Sequence, residues 1–266
     1  MTTFKSVLKG MVLAGAMAFA STAMADGFGR GGVRSAPSFA PAFSWTGFYV
    51  GLNAGGAWSG SDVAWSPNAA GFPTSGTAIT TLSSGSVNGS GFSGGAQVGF
   101  NWQVNGLVLG AEIDWQSLDI GGSRTANLST LLGGVSQPLS SSHSIDWLAT
   151  ARARIGLAFD RWLVYATGGF AWADVTVSDA IFFNATGTVN SVSRNDTVSG
   201  WVAGGGVEWA FLNNWTLRGE YLHVRLDDVN TRSANSNPVL FPNANIAHSY
   251  RNTDIDILRA AINFKF

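Results

Sequence analysis

No cysteine occurs among the 266 residues. That excludes a disulfide framework, a thiolate metal site and a cysteine nucleophile. Charge is scarce as well. Asp, Glu, Lys and Arg make up 12% of the chain, about half the share of an ordinary soluble domain. Lysine is confined to Lys5, Lys9 and Lys265. A formal net charge of −1 with no basic run lacks the footprint of a nucleic-acid binder. So few charges also exclude a disordered polyelectrolyte. Long apolar runs are missing too: no stretch approaches the roughly 18 apolar residues that a spanning helix needs. What the chain has in excess is glycine, 34 residues, nearly twice the usual share, together with 11 tryptophans.

Residues 1–25 have the layout of a secretory signal. Lys5 and Lys9 form a positive start, Met11 to Ala20 a short apolar run, and Ala23-Met24-Ala25 a small-residue cleavage site before Asp26. The run is too short to cross about 30 Å of hydrocarbon. Residues 26–44 carry Gly27, Gly29, Gly31, Gly32, Pro37 and Pro41, a density that resists helix and sheet alike. A flexible periplasmic segment is expected there, with the folded domain over 45–266.

Beyond residue 45 the hydrophobic period is 2. Leu258, Ala260, Ile262, Phe264 and Phe266 share one face of the last segment, while Arg259, Ala261, Asn263 and Lys265 share the other. Seven earlier segments alternate in the same way, around Val50, Val98, Leu109, Ala151, Val164, Ala203 and Leu217. Eight segments, each at least the roughly 9–11 residues that cross a bilayer when tilted, predict an all-β fold: an eight-stranded antiparallel up-and-down transmembrane barrel.

Connections of alternating length agree. Val104-Asn105-Gly106, Asp160-Arg161 and Leu212-Asn213-Asn214 are tight turns of residues that tolerate positive φ. Long Ser-, Thr-, Asn- and Gly-rich loops are expected at 60–90, 121–143, 178–196 and 229–250. Short turns on one side and long loops on the other put the turns in the periplasm. Trp102, Phe159, Trp162, Phe211, Trp215, Phe264 and Phe266 gather at the short-turn ends, and Trp115, Trp147, Trp172 and Trp201 toward the long-loop ends. Two aromatic girdles mark two membrane interfaces. A soluble sandwich would bury its aromatics, not collect them at strand ends.

Three passages carry a family resemblance. Trp45-Thr46-Gly47-Phe48-Tyr49-Val50-Gly51 opens the first strand, Gly91-Phe92-Ser93-Gly94-Gly95-Ala96-Gln97-Val98-Gly99-Phe100-Asn101-Trp102 opens the second, and Ala260-Ala261-Ile262-Asn263-Phe264-Lys265-Phe266 closes the chain. Together they resemble the small porin-like outer-membrane immunogenic proteins of Gram-negative bacteria, some of which are described as haemin-binding. The resemblance spans roughly 45–266. It implies an outer-membrane location, a surface-antigen role, contact with outer-membrane lipid and lipopolysaccharide, and a C-terminal Phe264/Phe266 signal read by the barrel-assembly machinery. Haemin is the one cofactor it would add; the residues themselves point to none. His143, His223 and His248 are then the candidate haem ligands, although the sequence has no His-rich tract and no metal-ligand spacing.

The charges that alternation places inside the barrel are Glu112, Asp114, Asp146, Arg152, Arg154, Glu208, Arg218, Glu220 and Arg259. An eight-stranded barrel is just wide enough for side chains to fill. Two readings follow. The charges pair and hold the barrel shut as a structural envelope component, or Arg and Glu line a narrow solute path. Inward glycines such as Gly99, Gly110, Gly156 and Gly206 leave room for the second. No nucleophile stands beside a base, so no catalytic residue and no enzymatic activity is expected. Gly204-Gly205-Gly206 lies within a strand pattern and is not a phosphate loop. Nothing in the sequence sets an oligomeric state.

Overall fold

The computed structural model describes residues 43–266 except 69, 71–79, 81–83, 128–137, 184–186, 238 and 240–242. The expected signal peptide at 1–25 and all of the expected segment 26–44 except Phe43 and Ser44 lie outside the described residues. The chain forms β1 (Gly47–Pro67), β2 (Gly85–Val104), β3 (Leu107–Asn127), β4 (Pro138–Phe159), β5 (Trp162–Phe183), β6 (Thr188–Ala210), β7 (Trp215–Leu226), β8 (Val229–Asn235) and β9 (Ile246–Lys265). Each pairs antiparallel with its neighbours, and β1 pairs with β9 to close the ring.

Among the described residues, nine strands make eight staves. β7 and β8 lie end to end along β9, with Leu226 opposite Thr253 and Val229 opposite Tyr250. The seventh stave breaks at Asp227–Asp228, beside Asn252, whose φ is 51°. There β9 also slips register against β1, between Gly60 and Asp62. A bulge in β9 therefore interrupts the ladder on its flank. At the opposite end the turns are tight: Asn105 and Asp160 take φ of 54° and 53°, the left-handed conformation that Asn and Asp tolerate.

The expected long loops are largely strand. β1 runs to Pro67, β3 to Asn127 and β5 to Phe183. The 22 residues of β4 and β5 extend about 70 Å along the strand, and about 50 Å in height once tilted, against an apolar band of about 25 Å. The barrel therefore stands well above the membrane. In the extension the alternation continues with its sense reversed. Along β5, Trp162, Val164, Ala166, Phe170 and Trp172 point outward, and then Asp174, Thr176 and Ser178 do. The buried positions there are Ala171, Ala173, Val175, Val177 and Ile181. Outside the bilayer the water is outside, so the apolar side chains turn in. Those of β3, β4, β5, β6, β7 and β9 meet in one core that includes Ile120, Ile145, Leu148, Leu222 and Ile257.

The wall changes register near this reversal, with bulges between Ser117 and Ile120 and between Ile145 and Leu148. The second bulge corrects one expectation. Asp146, read as a lumen charge, is exposed on the outer face, because an extra residue in the strand moves it across the wall.

Candidate functional site

The lower half of the lumen holds the remaining eight predicted charges, all buried. β3 brings Glu112 and Asp114, β4 Arg152 and Arg154, β6 Glu208, β7 Arg218 and Glu220, and β9 Arg259. Each sits on the inward side of an alternating strand whose outward side meets lipid, so only the lumen can accept it. Four acids face four arginines. Arg152 donates to Asp114 at 2.7 Å and Glu220 at 3.2 Å, and also to Glu112. Arg218 donates to Glu112 at 2.6 Å and Glu208 at 3.2 Å. Arg154 reaches Glu208 at 2.9 Å, and Arg259 holds Glu220 at 2.6 Å and Asp114 at 3.3 Å.

Neutral groups complete the set. Tyr49 donates to Glu112 at 2.5 Å, Tyr165 to Glu220 at 2.6 Å, Thr150 to Asp114 at 2.7 Å and Asn263 to Glu208 at 2.9 Å. Gln97 of β2 donates to Asn263, so all eight staves contribute. The sequence reading missed both tyrosines; their inward phase, opposite Phe48 and Val164, was the available signal. They also fill the room that the glycines leave. A Cβ on Gly99 would stand 2.3 Å from the Tyr49 hydroxyl, and one on Gly206 2.7 Å from that of Tyr165. The Arg154 guanidinium lies 4.0 Å from the Tyr165 ring centroid, a cation–π contact. Such an arrangement can brace a wall. Most of its guanidinium donors and carboxylate oxygens are turned on one another; Arg152 Nε, Arg154 Nε and Arg218 Nη2 have no hydrogen-bond partner among the described residues.

The three histidines do not converge. His143 is buried above the network with Nε2 3.1 Å from Ser59 Oγ, and burial pushes its pKa down. His248 is buried higher still, edge-on to Trp65 at 4.3 Å and with Nδ1 3.2 Å from Asp179. Burial pushes His248 down to about 4 and Asp179 up. His223 is on the outer face, 2.8 Å from Asp256. The void beside His143 is about 10 Å³, room for roughly one water. Among the described residues no group of three or more His, Cys, Asp or Glu is placed to hold a metal ion.

The predicted girdles lie on the outer surface: Trp102, Phe159, Trp162 and Phe266 are exposed at the short-turn end, and Trp115, Trp172 and Trp201 at the upper edge. The sequence of residues 11–237 matches the family described as outer membrane protein beta-barrel domain. The chain belongs to this family. It is 39% identical over 200 residues to the 31 kDa outer-membrane immunogenic protein of Brucella melitensis, covering 72% of this chain and 76% of that protein. It is 31% identical over 134 residues to the 22 kDa outer membrane protein of Rhizobium leguminosarum bv. viciae, covering 50% and 52%. Among solved structures it is similar to Neisserial surface protein A, with a TM-score of 0.40 and 15% identity over 83% of this chain and 98% of that one. This outer-membrane barrel is a member of the immunogenic-protein family, and its location is the outer membrane.

Proposed function

We propose that this barrel is a closed, non-conducting structural component of the outer membrane that carries its extracellular strands and loops at the cell surface, with no catalytic role and no resident cofactor. The observation that carries the reading is the eight-charge network, in which each arginine contacts at least two acidic or aromatic partners across a lumen narrowed by Tyr49 and Tyr165. Lipid and lipopolysaccharide contact the girdled outer face. Phe266, exposed at the rim, and Phe264, packed edge-on against Trp215, are the residues offered to the assembly machinery.

The test is conductance in planar bilayers. The closed reading expects almost no current from the wild-type barrel. Steady current whose ion preference reverses in Arg218→Glu would replace it with a small-solute porin. Haemin ligation needs an imidazole with an open coordination side; His143 and His248 are buried, with a void beside His143 that holds about one water and not a porphyrin, and His223 Nδ1 is held by Asp256. Titration of the purified barrel with haemin should therefore give no histidine-dependent Soret shift. A shift abolished by replacing His143, His223 or His248 singly would establish the receptor reading instead.

A further inference from the structure

The charge network is not the only structure across the lumen. Below it, residues 43–46 turn in under the barrel instead of continuing the wall. Trp45 is 1% exposed and packs with Val108, Leu163, Tyr165 and Ala210, and Phe43 packs against the same cluster. Those partners come from β3, β5 and β6, whereas Trp45 precedes β1. In a ring of eight staves β5 lies across from β1, so the indole reaches over the mouth. Two hydrogen bonds seat it: its backbone N–H donates to Gln103 Oε1 at 2.7 Å, and its indole N–H donates to the Asp160 carbonyl at 3.3 Å. Gly47, with φ of 143°, permits the turn between the inserted segment and the strand. Lys265 lies 5.7 Å from the Phe43 ring and ties the insert to the last strand.

We infer that residues 43–46 form a cork, seated by Trp45, that closes the short-turn mouth of the barrel and keeps periplasmic water from the lower end of the charge network. The geometry joins the two directly. Tyr165 is one wall of the Trp45 pocket, and its other contacts are Glu220 and Arg154. Withdrawal of the indole would open an apolar vestibule directly beneath Arg154. This goes beyond the closed-barrel reading and is tested separately: the ion pairs above the vestibule include no residue of 43–46, so conductance tests the network and accessibility below it tests the cork.

The absence of native cysteine makes accessibility simple to read. Val108→Cys places a smaller thiol side chain in the pocket, and Asn213→Cys places one on an exposed turn. With a charged, membrane-impermeant maleimide and the full-length folded barrel in detergent, Val108→Cys should react at least about tenfold more slowly than Asn213→Cys, and Trp45→Ala should remove most of that difference, because a packed thiol reacts only through local opening. Equal rates for Val108→Cys with and without Trp45, fast or slow, would overturn the cork. Heat-modified mobility on gels checks that each variant folds. Should Trp45→Ala fail to fold, the wild-type barrel is labelled with 5-fluorotryptophan and the Trp45 resonance assigned by its loss in Trp45→Phe. A soluble gadolinium chelate should leave that resonance sharp while broadening that of Trp102. Equal broadening of the two would overturn the inference.

Discussion

Up to Trp172, β5 turns Tyr165 and Thr167 into the barrel and Val164, Ala166 and Phe170 out of it; above, it turns Ala173, Val175 and Val177 in and Asp174, Thr176 and Ser178 out. One strand, with one unbroken alternation, has two opposite polarities. The lower lumen is polar because lipid takes the other face, and the upper lumen is apolar because water does. The two cores accordingly have different physics. The lower one is a set of ion pairs whose mutual attraction is offset by desolvation, so its net contribution is small and its failure when one partner is lost is large. The upper one is a hydrophobic core of the ordinary kind, in which loss scales with the volume removed.

The largest expected effect breaks the lower core. Glu220→Ala leaves Arg259 and Arg152 without one of the carboxylates they share, and should lower unfolding stability in denaturant by about 3–5 kcal/mol. In the upper core, Leu148→Ala removes a fully buried side chain and should cost about 2–4 kcal/mol with no dependence on salt. On the lipid face, Ala166→Arg, midway between the Trp162 and Trp172 girdles, should cost about 2–4 kcal/mol in a bilayer. The same change at Ser178, on the outer face of the extension, should cost almost nothing. An equal penalty at both would end the distinction between the two halves.

A smaller effect appears with pH in the upper half. His143 has its pKa pushed down by burial, so in acid the unfolded chain takes up a proton that the folded one refuses. The stabilisation is complete above the unfolded histidine value of about 6.5 and declines as pH falls below it. His248 acts in the same sense, and the raised Asp179 beside it in the opposite one. Both are common to wild type and His143→Gln. The difference between those two isolates His143: the variant should lose stability less steeply between about pH 6.5 and 5. The smallest effect is Asp146→Asn, within about 0.5 kcal/mol on an exposed face. The same substitution at Asp114 should be costly, since Asp114 is held by Arg152, Arg259 and Thr150.

Much of this was legible in the chain. The period of 2, the tight turns at Asn105 and Asp160, and the outward girdles needed only local sequence. Eight of the nine proposed lumen charges are in the lumen for the same reason. Asp146 is not, because a bulge depends on how β3 and β5 pair with β4. Only part of the upper barrel was legible: the expected loop at 178–196 includes the end of β5, where Asp179 and Ile181 lie inward and alternate with Ser178 and Ala180. Rich polar content concealed an alternation that was present. The two inward tryptophans, Trp45 and Trp65, were not legible at all. Nothing local separates them from girdle residues; only the surfaces they meet across the barrel do.

The sequence by itself determined the fold class, the number of staves and the chemical kind of each face, because alternation is a property of residues i and i+2 on one strand. The tertiary structure decided which medium each face meets, where the register slips, and which charge finds which partner. The Arg259–Asp114 contact joins residues 145 positions apart. Such a contact exists only once the ring closes and puts β9 and β3 around one lumen, where burial from bulk solvent makes side chains of other strands the partners of each charge.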